Sequence, residues 1–342
     1  MKIQIVLVLV LSTLLAGCNR TVKTNYLQVI DNETRAEQIK DMKWGMFICW
    51  SFSTFSGQEW TPTEGKDASY FKAKGCDTDQ WCRVAKDAGM GYILFLTKHH
   101  DGFCLWDTKT TDKKVTNSPL GIDVLAKLRK SCDKYGIKLA YYFSEGDWTF
   151  PGAEYRKSGG HNPEIKKAQL KELLTNYGPI EFIWFDYAQG DGGLSHEETT
   201  QWVYQWQPNC FSGYNHGAAS GRIRLRERGK PGPLGDNEAS MYGKEQEAYK
   251  GFLVAEFTYP ILPKHQGGAD WFYSLPEHDQ LCYPAEKIYQ DYLGALKYEN
   301  IFSINIGPDY NGKIRDIDVQ TLAKVGRFIR GEEKPANVYM DL

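Results

Sequence analysis

A short stretch, LTKHHDGF at residues 96–103, places a lysine, two histidines and an aspartate directly after an apolar run. Adjacent histidines on an extended chain point to opposite sides unless the backbone turns sharply, so we do not predict a shared metal ion there. Neutral imidazoles can exchange hydrogen bonds with hydroxyl groups. We therefore predict that His99 and His100 contact the hydroxyls of a ligand, with at least one of them also held by the surrounding protein.

The carboxylate of Asp186 is a second group that could do chemistry. It ends the apolar run FIWFD, and Trp184 lies two residues before it. A carboxylate in this position can cap a helix, serve as a structural acid or react with a ligand. Its aromatic neighbours favour the third interpretation, because a partly desolvated carboxylate is the nucleophile of retaining glycosidases.

The elements that must position these groups alternate along the chain from residue 46 onward. Continuous apolar runs are typical of strands buried on both faces. Amphipathic helix candidates lie between the runs, and three of them end in a glycine that is followed at once by a strand. Seven strands are predicted at residues 46–52, 91–97, 138–144, 181–186, 210–215, 252–258 and 300–306, and an eighth at residues 269–275.

This repeated order of strand and helix predicts an α/β fold, an eight-stranded TIM-type (β/α) barrel, because no dinucleotide-binding glycine fingerprint accompanies it. Functional groups of such barrels lie where strands end. Glu59 and Trp60 follow the first predicted strand, and Asp186 ends the fourth. The alternating arginines at positions 222, 224 and 226 are interpreted as mostly lying on a solvated loop.

Composition narrows the class of partner. A formal net charge of −2 gives no support for nucleic-acid binding, which usually needs a basic face. Aromatic residues make up 14% of the chain and suit stacking on sugar rings, although large cores also collect them. The cysteines after residue 18 match no zinc pattern, so we predict that most are buried thiols, with one disulfide as an open alternative. We expect no metal and no cofactor.

The first residues resemble a bacterial lipoprotein signal. Residues 1–17 hold one lysine and an apolar run, and LAGC resembles a lipobox that would make Cys18 the lipidated first residue. An ordinary signal peptide is the alternative. We expect an exported lipoprotein of the periplasm or outer membrane that touches the membrane only through its lipid. Residues 18–40 are predicted as a tether and leading segment and residues 41–335 as a catalytic barrel, with no accessory domain.

The stretch KDAGMGYILFLTKHHDGFCLWD resembles the signature of glycoside hydrolase family 29, the alpha-L-fucosidases. KLAYYFSEGDW, YGPIEFIWFD and NIFSINIGPDYNGKI resemble further blocks of this family, in the right order across residues 41–330. The resemblance implies a retaining double displacement in which Asp186 attacks the anomeric carbon of a terminal alpha-L-fucosyl residue. It also implies sugar contacts from His99, His100, Glu59, Trp60, Tyr142 and Trp184.

The mechanism implied by the resemblance needs a second carboxyl group that keeps its proton for the leaving oxygen. The stretch GRIRLRERG, followed by GPLGDNEAS, looks like the family's arginine and the acidic segment after it. Glu238 is therefore the predicted acid/base, with Glu245 and Glu256 as alternatives. Arg228, or else Arg226, is the predicted arginine beside the sugar.

One position departs from the family pattern. Members commonly carry a histidine in the first strand, where this chain has Cys49, and a thiol is a weak hydrogen-bond partner. Alpha-L-galactose, which differs from alpha-L-fucose by a hydroxyl on C6, therefore stays open as the sugar. The expected partner is a fucose-containing or L-galactose-containing oligosaccharide, and the alternatives to a fucosidase are an alpha-L-galactosidase and a non-catalytic carbohydrate-binding lipoprotein.

Overall fold

Eight parallel strands form one sheet in the computed structural model, which describes residues 28–187, 192–215, 222–232 and 252–336. The sheet order is β5-β4-β3-β2-β1-β8-β7-β6, so the first strand lies beside the last. This circular order confirms the predicted barrel. The strands are β1 (Trp44–Ile48), β2 (Tyr92–Lys98), β3 (Lys138–Ser144), β4 (Phe182–Asp186), β5 (Phe211–Tyr214), β6 (Ile223–Glu227), β7 (Val254–Pro260) and β8 (Asn300–Ile306).

Helices connect the strands, and the helices predicted from the sequence are found in the structure. Several begin at a side chain that accepts a backbone N–H of the first turn, as Asp77, Asp123 and Ser195 do, which satisfies donors that the helix itself cannot. None of those in the described ranges is long and apolar enough to cross a bilayer. The helices are α1 (Asn32–Lys40), α2 (Phe52–Ser56), α3 (Thr78–Asp87), α4 (Val124–Tyr135), α5 (Pro163–Asn176), α6 (His196–Trp206), α7 (Ala285–Lys297) and α8 (Asp316–Ile329).

The barrel closes between β5 and β6 through a close approach rather than a full ladder. The backbone N–H of Arg222 donates to the carbonyl of Ser212 at 3.2 Å. Gly213 allows this approach, because a Cβ atom there would lie 2.7 Å from the carbonyl oxygen of Ile223. The two ends of the sheet therefore meet, although the described strands β5 and β6 share no regular pairing.

The predicted eighth strand at residues 269–275 is wrong, because that segment forms a loop after β7. The missing strand is β6, whose sequence IRLRE alternates apolar and charged residues. This alternation suggested a solvated loop, but Arg224 and Arg226 are both buried in β6. Only the pairing of β6 with β7 makes the segment recognisable as a barrel strand.

The first strand also differs from the prediction. It begins at Trp44 and ends at Ile48, whereas Phe52 opens the short helix α2. All five strand residues are buried, which agrees with a parallel strand covered on both faces. Because β1 ends at Ile48, the chain that follows it can place Glu59 and Trp60 above the barrel.

Candidate active site

A cavity of about 740 Å³ lies where the carboxyl ends of the strands meet. It brings together eight of the predicted site residues that fall within the described ranges, but not the alternatives Arg226 and Glu256. The eight residues are Glu59, Trp60, His99, His100, Tyr142, Trp184, Asp186 and Arg228. Glu238, Glu245 and Cys18 lie outside the residues that the structure describes.

Asp186 lines this cavity at the end of β4, and hydrogen bonds fix its carboxylate. Its Oδ1 accepts from the backbone N–H of Tyr187 and from Asn215 Nδ2, each at 2.8 Å. Its Oδ2 accepts from the hydroxyl of Tyr142 at 2.6 Å. The positive φ of Tyr187, 54°, turns the chain sharply directly after the strand. The carboxylate is thus fixed toward the cavity by groups from three successive strands.

The hydroxyl of Tyr142 acts only as a hydrogen-bond donor to Asp186. Burial, followed by the nearby charge of Asp186, raises the pKa of its phenol well above the ordinary value. The hydroxyl consequently keeps its proton and can donate it in a hydrogen bond to the carboxylate. The indole of Trp184 stacks on the Tyr142 ring, with centroids 5.4 Å apart, and this packing restricts the phenol's position.

Glu227 is a second carboxylate in the cavity, and the sequence did not single it out. It ends β6, and its Oε2 accepts from Asn215 Nδ2 at 2.9 Å. The same nitrogen donates to Asp186 at 2.8 Å. Because one atom reaches both carboxylates, the two acceptor oxygens lie less than about 6 Å apart, close to the separation of about 5 to 5.5 Å found in retaining glycosidases.

Both histidines face the cavity because the chain turns after β2. The backbone N–H of Gly102 donates to the carbonyl of His99 at 3.1 Å, and the two imidazole centroids lie 4.0 Å apart. The backbone therefore turns sharply here, which is the exception to the rule that adjacent histidines on an extended chain point to opposite sides. Burial, followed by the neighbouring His100, lowers the pKa of His99 well below its ordinary value, so His99 is neutral.

The protonated nitrogen of His100 follows from its contact with Ser144. The Ser144 hydroxyl donates to the carbonyl of Gly146 at 2.6 Å, so its oxygen accepts from His100 Nδ1 at 2.6 Å. In the neutral ring, Nε2 is then an acceptor. This nitrogen lies 3.7 Å from Asp186 Oδ2, where it can receive a ligand hydroxyl beside the carboxylate.

The lysine and aspartate that flank the histidines have structural roles. Lys98 is fully buried and donates to Asp147 Oδ2 at 2.9 Å and Gln169 Oε1 at 3.1 Å. Asp101 accepts the backbone N–H of Phe103 at 2.9 Å, and burial raises its pKa to about 7. Both residues brace the loops around the histidines rather than line the cavity.

Glu59 joins the loop after β1 to the loop after β7. Its Oε2 accepts the backbone N–H groups of Asp270 at 2.7 Å and Trp271 at 3.2 Å. Burial raises the pKa of Glu59 to about 7, although these two N–H groups oppose the shift. Arg228 lies at the rim, where its guanidinium pairs with Asp270 Oδ2 at 2.5 Å.

Glu256 does not line the cavity. It lies within β7 rather than at its end, it is fully buried, and Trp184 Nε1 donates to its Oε2 at 3.2 Å. Burial raises its pKa to about 8. Glu256 therefore supports Trp184 from within the barrel. It is not placed to act as the acid/base, which corrects its prediction as an alternative for that role.

Cys49 lines the cavity together with apolar side chains. Burial raises the pKa of its thiol well above the ordinary value, so it stays neutral. Phe47, Leu96, Trp271 and Phe272 complete this apolar wall. Trp271 and Phe272 belong to the segment that we predicted as a strand, and their proximity to the site could not be inferred from local sequence.

The cysteine prediction is confirmed for the described part of the chain, where all seven cysteines are free and six are buried. Within the same part, no group of three or more histidine, cysteine, aspartate or glutamate side chains is placed to hold a metal ion.

The fold and the site define a (β/α) barrel of the glycoside hydrolase type, with paired carboxylates in an aromatic cavity. A family model for alpha-L-fucosidase matches residues 14–334. The chain therefore belongs to the alpha-L-fucosidase family, glycoside hydrolase family 29.

Similar proteins include alpha-L-fucosidase 1 of Arabidopsis thaliana, which is 30% identical over 81% of this chain and 56% of that protein. The chain thus spans about half the length of that curated relative. Among solved structures, alpha-L-fucosidase isoenzyme 1 from Paenibacillus thiaminolyticus has a TM-score of 0.71 at 25% identity, covering 87% of this chain and 76% of that one. A family 29 glycoside hydrolase from a rumen bacterium has a TM-score of 0.69 at 27% identity, covering 86% and 56%.

Proposed function

We propose that this protein is a retaining exo-acting alpha-L-fucosidase. The observation that carries the proposal is the shared donor Asn215, which places the carboxylates of Asp186 and Glu227 within the range of a double-displacement pair. The hydrolase activity named for its relatives agrees with this geometry.

The first half of the reaction joins the sugar to Asp186. A carboxylate oxygen of Asp186 forms a bond to C1 of the fucosyl residue while the bond from C1 to the leaving oxygen breaks. The acid Glu227 gives its proton to that oxygen. In the second half, the resulting Glu227 carboxylate removes a proton from water, the water oxygen bonds to C1, and the ester to Asp186 breaks.

We assign the acid/base role to Glu227 in preference to Glu238. Glu227 ends a barrel strand, lines the cavity and shares a donor with Asp186. General-acid assistance is worth on the order of 10² to 10⁴ in rate. Substitution of the true acid/base should therefore lower the rate by that factor, and substitution of the other glutamate should not. Glu238, the choice made from the sequence, is the comparison that the experiment must include.

The sugar contacts follow from polarity. His99 offers a neutral imidazole to hydroxyl groups, and His100 Nε2 lies 3.7 Å from Asp186 Oδ2, where a sugar hydroxyl can contact both side chains. The apolar wall that contains Cys49 and Phe272 suits the C6 methyl of fucose. A C6 hydroxyl buried there without a partner would cost about 1 to 3 kcal/mol, and this favours alpha-L-fucose over alpha-L-galactose.

The first test compares the hydrolysis of 4-nitrophenyl alpha-L-fucoside with that of 4-nitrophenyl alpha-L-galactoside. We expect turnover of the fucoside and loss of at least about a thousandfold in Asp186→Asn, since the nucleophile is removed. Faster turnover of the galactoside would support the galactosidase alternative. Sugar binding without hydrolysis of either compound would support the binding-protein alternative.

Azide rescue separates the two carboxylate roles. With a fucosyl substrate, Asp186→Gly should yield the fucosyl azide of inverted configuration, because azide replaces the nucleophile. Glu227→Ala should yield the azide of retained configuration, because azide attacks the glycosyl ester. If Glu238→Ala gives the retained azide and Glu227→Ala does not, the acid/base assignment returns to Glu238.

We also propose that the protein is exported and lipidated at Cys18, on the basis of the LAGC stretch after the apolar run. Labelling with a palmitate analogue should mark the wild-type chain and leave Cys18→Ser unlabelled. Equal labelling of both chains would exclude Cys18 as the lipid site.

A further inference from the structure

A second cavity, of about 500 Å³, adjoins the active-site cavity. Arg228 and Asp270 line both cavities, so their ion pair is the partition between them. The second cavity lies among the residues that follow β6 and β7, including Lys230, Lys264 and Lys287.

Positive charge exceeds negative charge in the lining. Its described residues include four cations, Arg228, Lys230, Lys264 and Lys287, against the two carboxylates of Asp270 and Asp291. A concave surface lined by one sign of charge attracts ligands of the opposite sign.

Both carboxylates are already engaged. Arg228 pairs with Asp270 at 2.5 Å, and Lys287 pairs with Asp291 at 2.7 Å. The hydroxyl of Tyr259 also donates to Asp291, at 2.5 Å. No ion pair of Lys264 occurs among the described residues, and this side chain is exposed. Lys264 is therefore the cation best placed to receive an anion from solution.

The position of the second cavity relates it to the leaving group. The side chains of Arg228 and Asp270 retain 54% and 40% of their exposure, so they lie at the mouth of the active-site cavity. In an exo-acting enzyme the terminal sugar fills the inner cavity and the departing glycan extends through the mouth. A leaving sugar that passes Arg228 enters the region of Lys264.

We infer that the second cavity binds an anionic group, a sulfate or a carboxylate, on the leaving sugar of the glycan. This inference rests on the proposed fucosidase function and adds the chemical class of the glycan next to the fucosyl residue. Tyr259 and Tyr283 also line the cavity, and Lys287 Nζ lies 4.3 Å and 4.9 Å from their ring centroids. The lining thus combines cationic groups with aromatic side chains, a combination that suits a charged sugar.

The test compares matched fucosyl disaccharides. One pair carries N-acetylglucosamine or its sulfated form as the leaving sugar, and the other carries glucose or glucuronic acid. For the wild-type protein we expect kcat/KM to be about fivefold higher for each anionic member at low ionic strength, the effect of one partly exposed ion pair. The preference should decline at high salt, because screening weakens charge attraction.

Lys264→Glu should abolish or reverse this ratio. Lys171→Glu, which makes the same change on the exposed outer side of α5, should keep the wild-type ratio. A preference for only one of the two anions would identify sulfate or carboxylate as the ligand.

Two failures can be told apart with 4-nitrophenyl alpha-L-fucoside, whose leaving group carries no anionic sugar. If the wild-type protein hydrolyses it and shows no preference for anionic disaccharides, the inference is overturned while the fucosidase function stands. The inference is also overturned if Lys264→Glu and Lys171→Glu show the same ratio. If the nitrophenyl fucoside and the disaccharides are all left intact, the fucosidase function fails, and the inference that depends on it fails too.

Discussion

The carboxylates of Asp186 and Glu227 accept hydrogen bonds from the same nitrogen, Nδ2 of Asn215, at 2.8 and 2.9 Å. Asn215 directly follows β5, so a third strand end sets the spacing between groups on β4 and β6. An amide with two N–H groups is well suited to this position, because it can donate to both carboxylates without adding charge.

Asn215→Ala should lower kcat by about 10² while the protein stays folded, because displacement of a catalytic group by about 1 Å has an effect of that size. Steady-state kinetics with thermal unfolding would measure both quantities. Asn117→Ala, at an exposed asparagine, is the control and should match wild type. Full activity in Asn215→Ala would show that the shared donor does not set the carboxylate geometry.

Tyr142→Phe removes the hydroxyl that donates to Asp186 at 2.6 Å. A hydrogen bond to a charged group is worth about 1.5 to 3 kcal/mol, so we expect kcat/KM to fall by about 10 to 100. Tyr141→Phe deletes the same atom one residue earlier on β3, on the opposite side of the strand, and should keep wild-type kinetics. Equal losses in the two variants would contradict a specific role for Tyr142.

Glu256→Gln should change how stability depends on pH. The folded-state pKa of about 8 lies above the ordinary value of 4.5, so the folded protein holds a proton that the unfolded chain loses between these values. This group's contribution to stability therefore falls as pH rises from 4.5 to 8, by on the order of 5 kcal/mol in total. Glutamine resembles the protonated carboxyl but does not ionise, so the variant should not lose this stability at high pH.

Urea unfolding of wild type and Glu256→Gln at pH 5 and pH 9 measures this effect. We expect similar stabilities at pH 5 and a more stable variant at pH 9. Glu33→Gln, at an exposed position, should follow wild type at both pH values. A variant that is no more stable than wild type at pH 9 would mean that Glu256 is ionised within the fold.

Lys98→Met should destabilise the protein by about 3 to 5 kcal/mol, because it leaves the buried carboxylate of Asp147 without its cation. Chemical denaturation provides the measurement. Lys109→Met breaks the exposed pair with Asp107 and should cost less than about 1 kcal/mol. A small effect of Lys98→Met would remove the structural role assigned to this lysine.

The position of Asp186 could be predicted because it ends a run of successive apolar residues, and barrel strands present their last side chains to the active site. The same rule locates His99 and His100. Glu227 obeys the rule too, but its strand IRLRE alternates apolar and charged residues, as an exposed segment does. The arginines of β6 are buried by neighbouring strands, and that burial depends on residues far away in the chain.

The sequence by itself determined the repeated strand and helix elements, the barrel and the strand-end location of Asp186, because local apolar patterns encode burial. Only the tertiary structure decided which carboxylate lies next to Asp186 and which loops border the cavity. Glu59, for example, binds backbone N–H groups of Asp270 and Trp271, more than 200 positions away. Contacts between such distant groups depend on the closure of the barrel, which brings strand ends together whatever their separation along the chain.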